Sequence, residues 1–325
     1  MNILKDYMKK GALFFLSVIL LLLSSYSCKK NNVKPPSPPA VDDSYFAKGA
    51  DVSWVTEMEA GGIKFYNAAS TETECIALMK SLGMNTIRLR VWVNPAASWN
   101  NAADVVSKAV RAKNLGMRIM INFHYSDTWA DPGHQTKPAA WASMNFADLK
   151  SALASHTSNT LTQLKNAGVT PEWVQVGNET NDGMLWPEGK LSSNETQYIE
   201  LVNTAITSVR QKSNTTKIML HYAGFIGADY FFNKVNNLNY DYIGLSYYPI
   251  WHGQSLDNLQ TTINQLGQTY NRKVVIAETA YPFTLNYNDY TNNIVGLQNQ
   301  LINTYPATEI GQKDFLTAIH NIMKQ

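Results

Sequence analysis

Residues 173–179 read Trp-Val-Gln-Val-Gly-Asn-Glu, and residues 274–278 read Val-Val-Ile-Ala-Glu. Each is a short β-branched run of the kind that forms a strand buried on both faces, and each ends on a carboxylate that packing alone would not select. Similar runs recur, so that strands are predicted at Lys48–Trp54, Thr86–Trp92, Arg118–Tyr125, Trp173–Glu179, Lys217–Tyr222, Tyr242–Tyr248 and Val274–Thr279. Helical amphipathic patterns lie between them, near Glu72–Leu82, Ala102–Leu115, Asn145–Ala167, Asn194–Lys212, Ala228–Lys234 and Leu256–Tyr270. This repeated alternation predicts an α/β fold, a (β/α)8 TIM-type barrel with a parallel sheet inside and helices outside. The strand count stops at seven. After Glu278 come a polar loop and a helical stretch at Gly311–Met323, so the eighth βα unit is expected to be missing at the C-terminus, with the edges of strands one and seven left uncovered.

In such a barrel the carboxyl ends of the strands form one rim, where catalytic groups gather. Here those ends read Arg-Leu-Arg-Val-Trp, Asn-Phe-His-Tyr, Gly-Asn-Glu, Ser-Tyr-Tyr-Pro and Ala-Glu-Thr. Glu179 and Glu278 therefore share a rim. A glycosidic bond is cut by one carboxylic acid that protonates the leaving oxygen and a second carboxylate across the sugar, which this pair can supply. Arg88 and Arg90 lie on one strand face by the period of two, so a guanidinium is expected to hold one carboxylate ionised. Tyr247 is expected to do the same by hydrogen bond. Asn178 is placed to bind a sugar 2-hydroxyl, and His124 to tune Glu179 or to touch substrate. Against these stand plain packing roles: a buried ion-pair network for the arginines and a satisfied core histidine for His124.

Composition narrows the partner. The 325 residues carry 27 Lys+Arg and 25 Asp+Glu, a formal charge of +2 with no basic cluster after residue 30, so nucleic acid is not an expected partner. With 45% hydrophobic and 16% charged residues the body is folded. Tyr and Trp (17 and 8) outnumber Phe (11), and Trp129, Trp141, Trp186 and Trp251 fall in loops beyond strand ends, where indole faces can stack on sugar rings. No zinc pattern, Gly-x-Ser-x-Gly elbow or phosphate loop is present.

The N-terminus has the layout of an address. Lys5, Lys9 and Lys10 precede the apolar stretch 11–23, and Ser-Tyr-Ser-Cys28 resembles a bacterial lipoprotein box, so residues 1–27 are expected to be a signal peptide and Cys28 a lipidation site. Residues 28–43, rich in proline, form a tether, and 44–325 the catalytic domain. The expected location is a bacterial envelope, through a lipid anchor or by secretion. Cys75, in a helix-like run, reads as a small buried apolar residue.

The same segments resemble the arabinogalactan endo-β-1,4-galactanases of glycoside hydrolase family 53. They include Gly49-Ala-Asp-Val-Ser53, Ile87-Arg-Leu-Arg-Val-Trp92, Phe123-His-Tyr-Ser-Asp-Thr-Trp-Ala-Asp-Pro132, the run from Val174 to Gly189, Ile243-Gly-Leu-Ser-Tyr-Tyr-Pro-Ile-Trp-His-Gly253 and Ile276-Ala-Glu-Thr-Ala-Tyr-Pro-Phe283. The resemblance implies a (β/α)8 barrel that cuts β-1,4-galactosyl links in type I arabinogalactan with retention, Glu179 being acid/base and Glu278 nucleophile. It implies sugar contacts from Asp127, Trp129, Asn178, Trp186, Tyr247 and Trp251, no required cofactor, and a monomer. Some bacterial members hold calcium in the loop after strand seven; here residues 286–292 offer one carboxylate, Asp289, where a hard cation prefers more. Two other readings stand beside this one: an inactive barrel that binds galactan at an envelope without cutting it, and a different β-1,4-glycanase specificity such as mannan.

Overall fold

The computed structural model describes residues 46–287 and 293–324. The signal, Cys28, the tether and the Asp289 loop segment lie outside the described residues. Seven parallel strands follow in sequential order: β1 Gly49–Asp51, β2 Thr86–Val91, β3 Arg118–Phe123, β4 Trp173–Val176, β5 Lys217–Ala223, β6 Tyr242–Tyr247 and β7 Lys273–Thr279. The connecting helices are α1 Val55–Ala60, α2 Cys75–Ser81, α3 Ala102–Asn114, α4 Phe146–Asn166, α5 Glu195–Lys212, α6 Ala228–Val235, α7 Pro249–His252, α8 Leu256–Tyr270 and α9 Glu309–Met323. This is the expected TIM-type α/β architecture, and no eighth strand occurs among the described residues. Strands β2 to β6 are buried over most of their length, whereas β7 is only half-buried and does not pair with β1. No described helix is long and apolar enough to cross a membrane.

Two predicted bounds shift for local reasons. Strand β1 is three residues, not seven, because Val55–Ala60 turns helical directly after it. Strand β4 stops at Val176: Gly177 has φ +77° and Glu179 φ +48°, so the chain leaves the extended region before the carboxylate. A Cβ on Gly177 would come within 2.5 Å of Thr180 Cγ2, which reserves the position for glycine. A left-handed non-glycine residue is uncommon and costs about 1–2 kcal/mol, and such conformations cluster at functional sites.

Inward-facing residues, two apart, grade from apolar to polar toward the rim. Along β3 and the residue just past it they run Met120, Asn122, His124; along β4 Trp173, Gln175; along β5 Met219, His221; along β6 and the residue just past it Gly244, Ser246, Tyr248. Met120, Trp173 and Met219 form a small apolar plug with Val275 and Ala277. Gly244 leaves it room, since a Cβ there would meet Met219 Sδ at 2.6 Å. Above the plug lie Asn122, Gln175, His221 and Ser246, all fully buried polar groups. Such groups persist only when hydrogen-bonded, and their bonds build the site.

Candidate active site

Glu179 and Glu278 converge at the mouth of the barrel. A carboxylate oxygen of each and a ring nitrogen of His221 all lie within 4.8 Å of one another. The two acids sit in different surroundings. Glu278 Oε1 is 2.7 Å from Arg88 Nη2, and its Oε2 accepts from the Tyr248 hydroxyl at 3.0 Å. Arg88 is itself fixed by Asp51 Oδ2 at 2.8 Å and by the side-chain oxygens of Gln175 and Asn178, each at 3.0 Å. Glu179 Oε1 instead accepts from Ser246 Oγ at 2.5 Å. Burial, and then the neighbouring Glu278 charge, push the Glu179 carboxyl up to about 7, against the pull of Ser246 and Arg88. One carboxyl is thus disposed to keep its proton near neutrality while the other faces a guanidinium and a phenol.

Between these acids runs a cleft of about 930 Å³, lined among others by Trp54, Arg90, Trp129, Tyr248 and Trp251. Trp129 and Trp251 remain 46% and 61% exposed, leaving indole faces free for an apolar sugar face. Arg90 makes no ion pair among the described residues. Its guanidinium lies 4.7, 4.6 and 4.0 Å from the rings of Trp54, Trp92 and Trp129, its Nε and Nη2 lack hydrogen-bond partners, and burial draws its pKa down to about 10. The two arginines of one face therefore divide: Arg88 serves the carboxylate, and Arg90 braces the aromatic wall.

Other expected residues stand back from the cleft. The Tyr247 hydroxyl donates to the Gly253 carbonyl at 2.9 Å, and its ring stacks on Phe315 of α9; the residue that reaches Glu278 is Tyr248, which shares the inner face with Ser246. Asp127 spends its oxygens on the backbone N–H groups of Asn94 (2.8 Å) and Ala139 (2.9 Å), tying two loops together. Trp186 donates to the Asp182 carbonyl at 2.8 Å beneath the Lys190 ammonium, and Trp141 is buried against His156. His124 does not bond Glu179: its Nδ1 accepts from Ala130 N at 3.0 Å and its Nε2 lies 3.1 Å from Asn122 Nδ2. Burial and then Arg90 and Arg88 keep that ring neutral. Asn178 is buried beside the pair; its Nδ2 donates to the Ala130 carbonyl at 2.8 Å while its Oδ1 accepts from Arg88, Asn122 and Gln175. His221, Ser246, Tyr248, Asp51 and Gln175 escaped the sequence reading, although a polar residue inside an apolar strand, as in Ile218-Met-Leu-His221, was a usable signal.

As donors to a metal, Glu179, His221 and Glu278 are close enough, but Arg88 at Glu278 disfavours a second cation and both His221 nitrogens are already hydrogen-bonded. The arrangement suits proton handling and attack at one carbon between two acids.

Comparison with known proteins agrees. The family model described as glycosyl hydrolase family 53 matches residues 47–325. An arabinogalactan endo-β-1,4-galactanase of Cellvibrio japonicus is 37% identical over 297 residues, 87% of this chain and 78% of that protein. The GH53 catalytic domain of Ignisphaera aggregans superposes with a TM-score of 0.81 at 33% identity, over 89% of this chain and 83% of its own. A structure from a study of two fungal β-1,4-galactanases gives 0.76 at 30%, over 85% of each chain.

Proposed function

The chain belongs to glycosyl hydrolase family 53, and from that membership we propose that this glycoside hydrolase cuts internal β-1,4-galactosidic links of galactan and type I arabinogalactan with retention of configuration. The observation that carries the mechanism is the closeness of Glu179 and Glu278, one oxygen of each lying within 4.8 Å, which fits the short carboxylate separation of a double displacement better than the wider one of an inverting pair. Glu278 attacks the anomeric carbon as the bond to the leaving oxygen breaks and Glu179 delivers its proton to that oxygen. A galactosyl ester forms on Glu278. Glu179, now a carboxylate, takes a proton from water as the water attacks the same carbon, and Glu278 leaves as a carboxylate. Arg88 and Tyr248 offset charge on Glu278 in both half-reactions, and Trp129 and Trp251 hold sugars to either side.

The binding-only alternative is not favoured by a site that holds both acids in complementary environments. The proposal extends to the segments outside the described residues: 1–27 directs export, Cys28 carries the lipid, and 28–43 spaces a monomeric catalytic domain from a bacterial envelope. The test is release of reducing ends from β-1,4-galactan by the purified protein, with mannan as control. Its loss in Glu278→Gln supports the assignment, and unchanged turnover in that variant refutes it.

A further inference from the structure

Behind Glu179 lies a hydrogen-bonded row that the double displacement does not use. His221 and Ser246 are both fully buried, on adjacent strands β5 and β6. His221 Nε2 is 3.0 Å from Ser246 Oγ, and Ser246 Oγ is 2.5 Å from Glu179 Oε1. The direction of these bonds follows from the other end of the ring. His221 Nδ1 receives the Gln175 Nε2 amide at 2.9 Å and the Glu179 backbone N–H at 3.3 Å. A backbone N–H can only donate, so Nδ1 presents a lone pair. Asn178 Oδ1 lies 3.2 Å from it but already accepts from Arg88, Asn122 and Gln175. Burial, and then Arg88 and His252, keep the ring neutral. Its single proton is therefore on Nε2 and is donated to Ser246.

Having accepted from His221, the Ser246 hydroxyl has one hydrogen, and Oε1 of Glu179 is its acceptor. That oxygen is an acceptor in both protonation states. We propose that Ser246, locked by His221, is a positioning residue that confines the exchangeable proton of Glu179 to Oε2, so that one oxygen alone gives and takes protons in the reaction. The proposal rests on Glu179 being the acid/base. A freely rotating carboxyl would place its proton wrongly part of the time; this one is oriented before substrate arrives. The same hydroxyl favours the carboxylate form and so works against burial and Glu278. The other charged or titratable groups facing Glu179 are Arg88 on β2, Asp131 after β3, Tyr248 after β6 and His221 itself.

The experiment is a 13C NMR titration of glutamate-labelled full-length protein, with the Glu179 signal assigned by its absence in Glu179→Gln. In Ser246→Ala the midpoint is expected to rise by about one pH unit, the size of one lost hydrogen bond to a charged group. Ser246→Thr, which keeps the hydroxyl, should restore it, and Ser246→Cys, a weaker donor of similar size, should fall between. In parallel, Ser246→Ala is expected to lose about 10- to 100-fold in kcat/KM on galactan, whose leaving group needs a proton, and much less on a dinitrophenyl galactobioside, whose leaving group does not. An unmoved midpoint, or equal loss on both substrates, overturns the proposal. The titration is read whether or not galactan is cut, so failure of the wild-type protein on galactan is a separate result, against the function alone.

Discussion

Arg88 Nη2 stands 2.7 Å from Glu278 Oε1, and Arg88 is otherwise enclosed by Asp51, Gln175 and Asn178. Its place is set from three strands before any substrate binds. Replacing Arg88 with Ala is expected to lower kcat on galactan by about 100-fold or more, the effect of losing a preorganised charge beside developing charge. Because Asp51 and Glu278 then lose their shared cation in a partly buried site, the melting temperature should fall as well. Arg88→Lys keeps a charge but not the fork, so it should recover stability more fully than turnover.

The pH profile follows from Glu179. Burial and Glu278 hold its folded pKa up at about 7, above the ordinary 4.5, and the proposed first half-reaction uses the protonated form. Values of kcat/KM are expected to decline as pH rises through about 7. Stability has the same origin and a definite sign. Below pH 4.5 the group is protonated folded and unfolded; from there to about 7 the unfolded chain ionises more readily, so native stability falls across that window. Glu179→Gln should therefore raise the melting temperature at pH 8 more than at pH 4, and differential scanning at the two values checks it.

The adjacent tyrosines give a sharp contrast. Tyr248→Phe removes the bond to Glu278 Oε2 and is expected to cost about 10- to 100-fold in kcat. Tyr247→Phe removes only a bond to the Gly253 carbonyl, on the outer face, and should stay within about threefold on galactan, its cost appearing in stability.

The aromatic wall should act on binding. Trp129→Ala removes a ring from the cleft and from Arg90, and KM for galactan is expected to rise by about tenfold with a smaller change in kcat. Trp186→Ala, which lies off the cleft lining, should change KM much less.

Much of this was legible in the chain because a barrel puts strand ends together. Glu179 and Glu278 end β-branched runs, and the period of two put Arg88 and Arg90 on one face without regard to distant sequence. Parity failed at Ser246-Tyr247-Tyr248, since β6 is buried on both faces and its apolar pattern does not say which tyrosine points inward; the register shift between Leu245 and Ser246 is equally invisible. Asp127 was expected as a sugar contact from the family resemblance alone, with no local signal of its own, and in the structure its oxygens accept from the loop N–H groups of Asn94 and Ala139. The split between Arg88 and Arg90 depends on Trp54, whose ring is brought in by the unanticipated helix Val55–Ala60 that it precedes.

The most direct test is the configuration of the first product. In 1H NMR of β-1,4-galactan digested by the purified protein, the new reducing ends should appear as the β anomer before mutarotation, and Glu278→Gln should release none. Initial appearance of the α anomer, or wild-type release by the variant, would contradict the paired-carboxylate displacement.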